Sequence, residues 1–584
     1  MSSSIWEFCS KKNSMKIALA QLNYYIGDFE LNISRICDAI RWAQSEHADL
    51  VIFAELSVCG YPPRDFLEFD DFITRAENAV QRIAESCVGI AAIVGAPSVN
   101  KAEKGKPLFN TAFFLAEGKI QSMVHKTLLP NYDVFDEYRY FEPNHTSSRV
   151  INYKEFSFAL TICEDLWNVV EDPLYISNPM DELIGQAPDA IINIAASPFH
   201  YNQPELRREV LCKNALRYKV PVFYVNHVGG QTELLFDGSS MVLDRTGSTI
   251  YQLKSFEEDR LLVDFVTLSE QPPLAGITPL QGPSASTGSS NGQYSLPVHP
   301  TFSAKVIPLI HDALVMGIRD YFCKMGFTRA ILGLSGGIDS AVTLVLASSA
   351  LGPGNVKAIL LPSQFSSEHS VADAQKSAEN LGVPYEIIPI IQAYQAMEST
   401  LKEQFKGLPF NLTEENMQAR IRAIILMALS NKFGYILLNT SNKSEAAVGY
   451  GTLYGDMCGG LSVLGDIYKT QIYQLASYLN RDSEVIPLNT ISKPPSAELR
   501  PGQKDSDSLP EYGLLDEILF LYIEKRKGPD ELIALGFDES VVRRVLKMVN
   551  VNEYKRYQTP PILRVSPKAF GMGRRMPIVG KYLS

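Results

Sequence analysis

The sequence has no C-x-x-C pair, no apolar run approaching the roughly 18 residues of a membrane span, and no excess of basic side chains. Its eight cysteines (Cys9, Cys37, Cys59, Cys87, Cys163, Cys212, Cys323 and Cys458) are scattered along the chain. Their spacing offers no zinc or iron–sulfur ligand set and no disulfide framework, which points to a reducing compartment. Lys and Arg number 54 against 65 Asp and Glu, a formal charge of −11. Nucleic acid and membrane surfaces call for a broad basic face, so neither is expected as a partner. A local basic pocket for a small phosphorylated substrate stays compatible with this balance. Residues 1–14 lack the apolar block of a secretion signal and read as an N-terminal extension ahead of Met15. The expectation is a cytoplasmic protein.

What is present is ample material for two large domains. The chain has 584 residues, 46% hydrophobic and 20% charged, which is too long for one core. Residues 271–300, QPPLAGITPLQGPSASTGSSNGQYSLPVHP, are rich in Pro, Gly and Ser and nearly uncharged. Such a stretch buries too little surface to offset its ordering entropy and reads as a linker. It divides the chain into domains over 15–270 and 301–584. In the first, β-branched runs such as Leu50–Phe53, Phe156–Ile162 and Ala190–Ala195 alternate with helical stretches such as Glu30–Glu46 and Pro204–Arg217, predicting layered α/β sheets. In the second, strands at Ala330–Leu334, Val356–Leu361, Tyr385–Ile390 and Tyr435–Asn439 are separated by helices. That order predicts a doubly wound, Rossmann-like parallel sheet with its ligand at the carboxyl ends of the strands.

The strand Ala330–Leu334 runs through Gly333 and Leu334 into Ser335-Gly336-Gly337-Ile338-Asp339-Ser340, after which helical apolar spacing resumes. Two glycines permit positive φ and let backbone N–H groups close on an anion, while the helix N-terminus adds partial positive charge. Asp339 suits Mg2+ better than bare phosphate. The plainer reading is a tight strand-to-helix turn; the flanking strand and helix favour the functional one. No Lys follows the glycines, which excludes a Walker A loop.

SGGIDS resembles the signature of the ATP pyrophosphatase family, which implies ATP cleavage between the α and β phosphates. Asn439-Thr440-Ser441-Asn442-Lys443-Ser444-Glu445 and Gly449-Tyr450-Gly451-Thr452-Leu453-Tyr454-Gly455-Asp456 are similar to segments of the NAD+ synthetases within it. This resemblance implies ATP contacts by residues 333–340, Thr440, Lys469 and Ser496. It implies deamido-NAD+ contacts by Asn416, Glu445 and Lys568, with Mg2+ on Asp339 and Glu445. The closing segment around Lys568, Arg574 and Arg575 also matches, against the alternative of a solvated basic tail. Related enzymes carry Lys before Tyr-Gly-Asp; here Leu453 replaces it, so that contact does not carry over.

In the first half Glu55 ends the run Val51–Ala54, Lys126 opens Lys-Thr-Leu-Leu-Pro, and Cys163 ends the strand Phe158–Ile162 before Glu164-Asp165. Amide hydrolysis needs a thiolate, a carboxylate that takes and returns a proton, and a cation facing the oxyanion. Cys163, Glu55 and Lys126 are candidates for these roles, although singly each has a duller explanation as a core or solvated residue. The ordered set resembles the nitrilase superfamily over residues 15–265, implying an α-β-β-α sandwich. Glu137 matches a further acidic position, as an orienter of Lys126 or a surface carboxylate. Tyr132 and Ser197 match glutamine-binding positions. Relatives have Gly-Lys or Gly-Arg where this chain has Asn202-Gln203, so Gln203 joins the glutamine-binding set and Arg207 and Arg208 become candidates for the glutamine carboxylate.

Together the halves imply a ligase using glutamine, ATP and deamido-NAD+, with one half making the ammonia that the other consumes. A sheltered ammonia passage and a homo-oligomer, with an octamer as one form, follow from the same resemblance. The rivals are another amidotransferase or an RNA-modifying enzyme of the pyrophosphatase family, disfavoured by the acidic charge. A metabolite-sensing scaffold would lack Glu, Lys or Cys, and all three are filled.

Overall fold

The computed structural model describes residues 14–169, 173–268, 274 and 302–582. The extension ahead of Ser14 and nearly all of the 271–300 segment lie outside the described residues. The chain forms two compact units. One runs through Gly229 and resumes at Phe236; the other takes in Gly230–Leu235 and the C-terminal half.

The first unit holds two six-stranded sheets. One is ordered Asp259–Asp264, Lys16–Gln21, Leu50–Ile52, Ala91–Val99, Leu108–Ala116, Lys119–His125. The other is ordered Thr249–Gln252, Met241–Leu243, Val222–Asn226, Ala190–Ala195, Phe156–Ile162, Ile151–Tyr153. Leu19, Ile52, Ile93 and Phe114 of the first share a buried cluster with Phe158, Leu160, Ile192 and Phe223 of the second. The helices Phe29–Ser45, Asp70–Glu85 and Gln203–Tyr218 bury apolar stripes such as Ile33, Ile36 and Ile40, giving the nitrilase-like layered arrangement. The central strands pair in parallel and are apolar on both faces, as sheets covered on both sides require. Lys126 follows the last strand of one sheet, and Cys163 follows Phe156–Ile162 of the other.

The second unit is built on a five-stranded sheet, Tyr385–Ile387, Val356–Leu360, Ala330–Gly333, Ile436–Asn439, Leu461–Ser462, with every adjacent pair parallel. The strand order reverses at Ala330–Gly333, where the 335–340 loop leaves the sheet. This is the crevice in which open α/β sheets bind ligands. The helix Ile338–Leu351 starts inside that loop and is buried along most of its length.

The fold has elements that periodicity does not announce. The hairpin Leu108–Ala116/Lys119–His125 and the helix Tyr512–Ile523, apolar nearly all round, are examples.

Candidate active sites

Cys163 sits where the strand Phe156–Ile162 breaks into a single turn of 3-10 helix, with φ of 44°. A β-carbon-bearing residue held in the left-handed region is strained, and the surroundings must supply the restraint. Asp165 does so: one carboxylate oxygen accepts from the N–H groups of Thr127 and Leu128 at 3.0 and 2.8 Å, the other from that of Ile162 at 3.0 Å. One buried carboxylate thereby staples the elbow to the loop that follows Lys126. Burial, offset by these backbone donors, pushes its carboxyl up to about 6.

Glu55 and Lys126 are both fully buried. Lys126 Nζ donates to Glu55 Oε1 at 2.7 Å and to both oxygens of Glu137 at 2.9 and 2.8 Å. Glu137 is buried, not a surface carboxylate. One ammonium against two carboxylates leaves a net negative charge, which in an apolar interior is costly unless neutral donors share it. Three do: Asn110 Nδ2 at 2.7 Å from Glu55 Oε1, Tyr61 Oη at 2.9 Å from Glu137 Oε1, and the Ala196 N–H at 2.9 Å from Glu55 Oε2. Burial opposes the charge on Lys126, but Glu137 and Glu55 outweigh it and hold the ammonium well above its ordinary range. Burial and then Glu55 push the Cys163 thiol up, with Lys126 opposing. Burial and Glu55 thus favour the thiol over the thiolate, so a nucleophilic role for Cys163 requires a base at the moment of attack.

Around this centre Tyr132, 40% exposed, donates its hydroxyl to Glu164 at 2.9 Å. Ser197 is buried, and its Oγ accepts from Gln203 Nε2 at 3.1 Å. Arg207 is already committed: its guanidinium pairs with Asp237 at 2.7 and 3.1 Å, both groups buried. Arg208, the other arginine considered for the glutamine carboxylate, is half-buried on the same helix.

In the second unit Gly336 has φ of +82°, and a Cβ there would lie 2.1 Å from the Ser370 carbonyl oxygen. The backbone can therefore take this path only with glycine. Ser335 and Ser340 hydroxyls lie 3.1 Å apart, and Ser335 Oγ accepts from the Gly337 N–H at 3.2 Å. Asp339 accepts from Asn442 Nδ2 at 2.9 Å and from Lys469 Nζ at 2.5 Å, and Glu445 lies 3.6 Å from the same ammonium. Two half-buried carboxylates flank one cation. Burial and then Asp339 push the Glu445 carboxyl up to about 8. Asn442 also caps the helix Lys443–Val448, so one side chain fixes both Asp339 and Glu445.

Thr440 follows the strand Ile436–Asn439, half-buried; Ser496 is exposed, its Oγ donating to the Gln503 carbonyl at 2.6 Å. Asn416 Oδ1 accepts from Thr452 Oγ1 at 2.6 Å. Lys568 is half-buried, and its carbonyl accepts from Lys443 Nζ at 2.9 Å. Lys443 is fully buried and also meets Glu524 at 2.8 Å, Asp466 at 2.9 Å and Ser566 Oγ at 2.8 Å, tying the closing segment to the centre of the unit. Sequence reasoning passed over Lys443, Asn442, Asp165, Asn110 and Tyr61, because their partners are remote in sequence. It also passed over Asp505, which accepts from the hydroxyls of Tyr450 and Tyr512 at 3.1 and 3.0 Å.

A nitrilase-like amidohydrolase and a pyrophosphatase-like synthetase on one chain make an amidating ligase that draws its nitrogen from glutamine. Residues 16–270 match the carbon-nitrogen hydrolase family and residues 310–559 the NAD synthase family. The chain is 43% identical to the glutamine-dependent NAD(+) synthetase of Synechocystis sp., over 96% of this chain and 98% of that one. It is 41% identical to that of Thermotoga maritima, over 97% and 99%. The solved structure of the Acinetobacter baumannii enzyme in complex with ADP is similar, with a TM-score of 0.74 and 37% identity over 97% of this chain and 99% of that one. The chain belongs to the glutamine-dependent NAD+ synthetase family. Among the described residues no helix is long and apolar enough to cross a membrane.

Proposed function

We propose that this chain makes NAD+ from deamido-NAD+, ATP and glutamine in the cytoplasm, with a glutamine amidohydrolase domain over 15–270 and a synthetase domain over 301–584. Cys163 Sγ attacks the side-chain amide carbon of glutamine as Glu55 accepts the thiol proton. Lys126 faces the developing oxyanion, and the proton returns to the leaving nitrogen as ammonia departs. Water, activated by the same carboxylate, hydrolyses the glutamyl thioester to glutamate. Glu137 keeps Lys126 charged and aimed. Tyr132, Ser197 and Gln203 line the glutamine subsite.

In the synthetase domain a carboxylate oxygen of deamido-NAD+ attacks the α-phosphorus of ATP. Pyrophosphate leaves into the 335–340 loop, and ammonia displaces AMP from the acyl adenylate. Thr440, Lys469 and Ser496 contact ATP; Asn416, Glu445 and Lys568 contact the dinucleotide. Asp339 and Glu445 suit Mg2+, since both are oxygen donors and already flank one cationic group; Mg2+ takes one or two carboxylates and completes its shell with phosphate and water. When bound there it neutralises phosphate charge. The family resemblance extends the reading to a homo-oligomer.

The observation that carries the reading is the buried Glu55–Lys126–Glu137 network around a strained cysteine, on a chain that also holds the SGGIDS loop. Its test is Cys163→Ala assayed with two nitrogen sources. Glutamine-driven NAD+ synthesis should fall by at least ~10³-fold, while synthesis from ammonium persists; equal loss of both would separate Cys163 from glutamine chemistry.

A further inference from the structure

The amidohydrolase centre contains a closed circuit that its three reacting side chains do not explain. Lys126 Nζ donates to Glu55 Oε1 at 2.7 Å and to Glu137 Oε2 at 2.8 Å. Asn110 Nδ2 donates to the same two oxygens, at 2.7 and 3.3 Å. Two donors and two acceptors thus alternate around a ring, with each carboxylate oxygen taking one charged and one neutral donor. Asn110 is 1% exposed and lies on the strand Leu108–Ala116; its carbonyl accepts from the Lys126 N–H at 2.8 Å, so its backbone and side chain both address the ring. Its Oδ1 is buried and has no hydrogen-bond partner among the described residues. The carboxamide cannot be turned over, because that would point Oδ1 at two carboxylates. A buried amide that leaves its acceptor unmatched to place its donors here is arranged for the acids rather than for itself.

We propose that Asn110 is a positioning residue of the glutaminase centre: by closing the ring it commits Oε1 of Glu55 and leaves Oε2 as the oxygen that receives the proton from Cys163. A carboxylate oxygen has two in-plane lone pairs. Those of Oε1 are taken by Lys126 and Asn110, whereas among the described residues Oε2 meets only the Ala196 N–H, at 2.9 Å, and keeps one pair open. Asn110 acts through Glu55 and does not touch substrate. Other ionisable groups around this carboxylate are Glu137, Tyr61 and Cys163, with His227 Nε2 at 2.5 Å from the Glu55 carbonyl oxygen. None of them supplies a neutral donor to Oε1, so the contribution of Asn110 is not duplicated.

The inference rests on Glu55 as the base, and the experiment separates the two. Glutaminase kcat, KM and their pH dependence from pH 5 to 9 are measured for the full-length wild-type chain, Glu55→Gln, Asn110→Leu and Asn110→Asp. Asn110→Leu keeps the volume and removes the donor; a carboxylate that loses a donor holds its proton to higher pH. The expected result is an acidic limb moved up by about one pH unit, with kcat at pH 7 down about tenfold and KM changed less than about twofold. Asn110→Asp, which keeps size and polarity should the leucine variant fail to fold, should move the limb further, because it adds a third carboxylate. A fall that is uniform across pH with the limb unmoved would reduce Asn110 to packing and overturn the proposal. Full activity of Glu55→Gln would instead remove the base itself, an outcome distinct from failure at Asn110.

Discussion

The two centres solve opposite problems. In the amidohydrolase unit the charged groups answer one another: Glu55, Lys126 and Glu137 are buried, and the ammonium donates to both acids at 2.7–2.9 Å. The site is built by protein alone and asks its small substrate only to enter. In the synthetase unit the serine hydroxyls of the loop bond one another and its own backbone, and the half-buried acids Asp339 and Glu445 share one ammonium. A centre for a neutral amide can be closed beforehand. One for a highly charged nucleotide keeps its counter-charges reachable, because burying them unpaired costs several kcal/mol each.

The comparison is broken or sharpened most strongly by Lys469→Met. If the ammonium serves the nucleotide, NAD+ synthesis from either nitrogen source should fall by ~10²–10³-fold, while glutamine hydrolysis stays measurable; abolished hydrolysis would mean that the centres are not separable. Chelation with EDTA should divide them in the same way, stopping AMP release and sparing glutamate release, and metal-independent AMP formation would count against the assignment of Asp339 and Glu445. Next comes Gly336→Ala. A methyl 2.1 Å from the Ser370 carbonyl oxygen forces the loop to move, so KM for ATP should rise about tenfold or more, with no change in glutaminase KM. The smallest effect concerns the thiol. With its ionisation pushed up by burial, Cys163 carries less thiolate at pH 7 than a free cysteine. Its alkylation by iodoacetamide, followed by peptide mapping to separate exposed Cys323, should climb about tenfold per pH unit from pH 7 to 9. A rate that is flat over that range would point to a preformed thiolate.

Much of the architecture is legible because it depends on local period. The strands Phe156–Ile162 and Ala190–Ala195 have the bounds that their apolar spacing predicts. The parallel sheet follows from the order of its elements. Hidden instead is whatever depends on a partner far along the chain. Asn110 lies 55 positions from Glu55, and Asn442 lies 103 from Asp339; nothing in their neighbourhoods signals that they meet. The fate of Arg207 is equally silent, since its partner Asp237 lies on a strand 30 residues away. Chemistry could be read at Glu55, Lys126 and Cys163 because amide hydrolysis demands those residue types. The neutral donors that share the charge, Asn110 and Tyr61, are demanded only by burial, and burial belongs to the fold.

The buried ammonium of Lys443 bears on how the chain is made. Its partners Ser566 and Lys568 are translated 123 and 125 positions after it, and Leu563 donates its N–H to Ser462 on the strand at that edge of the sheet. While the ribosome is still adding those residues, the emerging synthetase half has an unfinished sheet margin and a lysine facing Asp466 and Glu524 without its last two oxygens. The half that uses ammonia therefore matures only after Lys568 has been translated, long after the residues of the half that produces it have emerged.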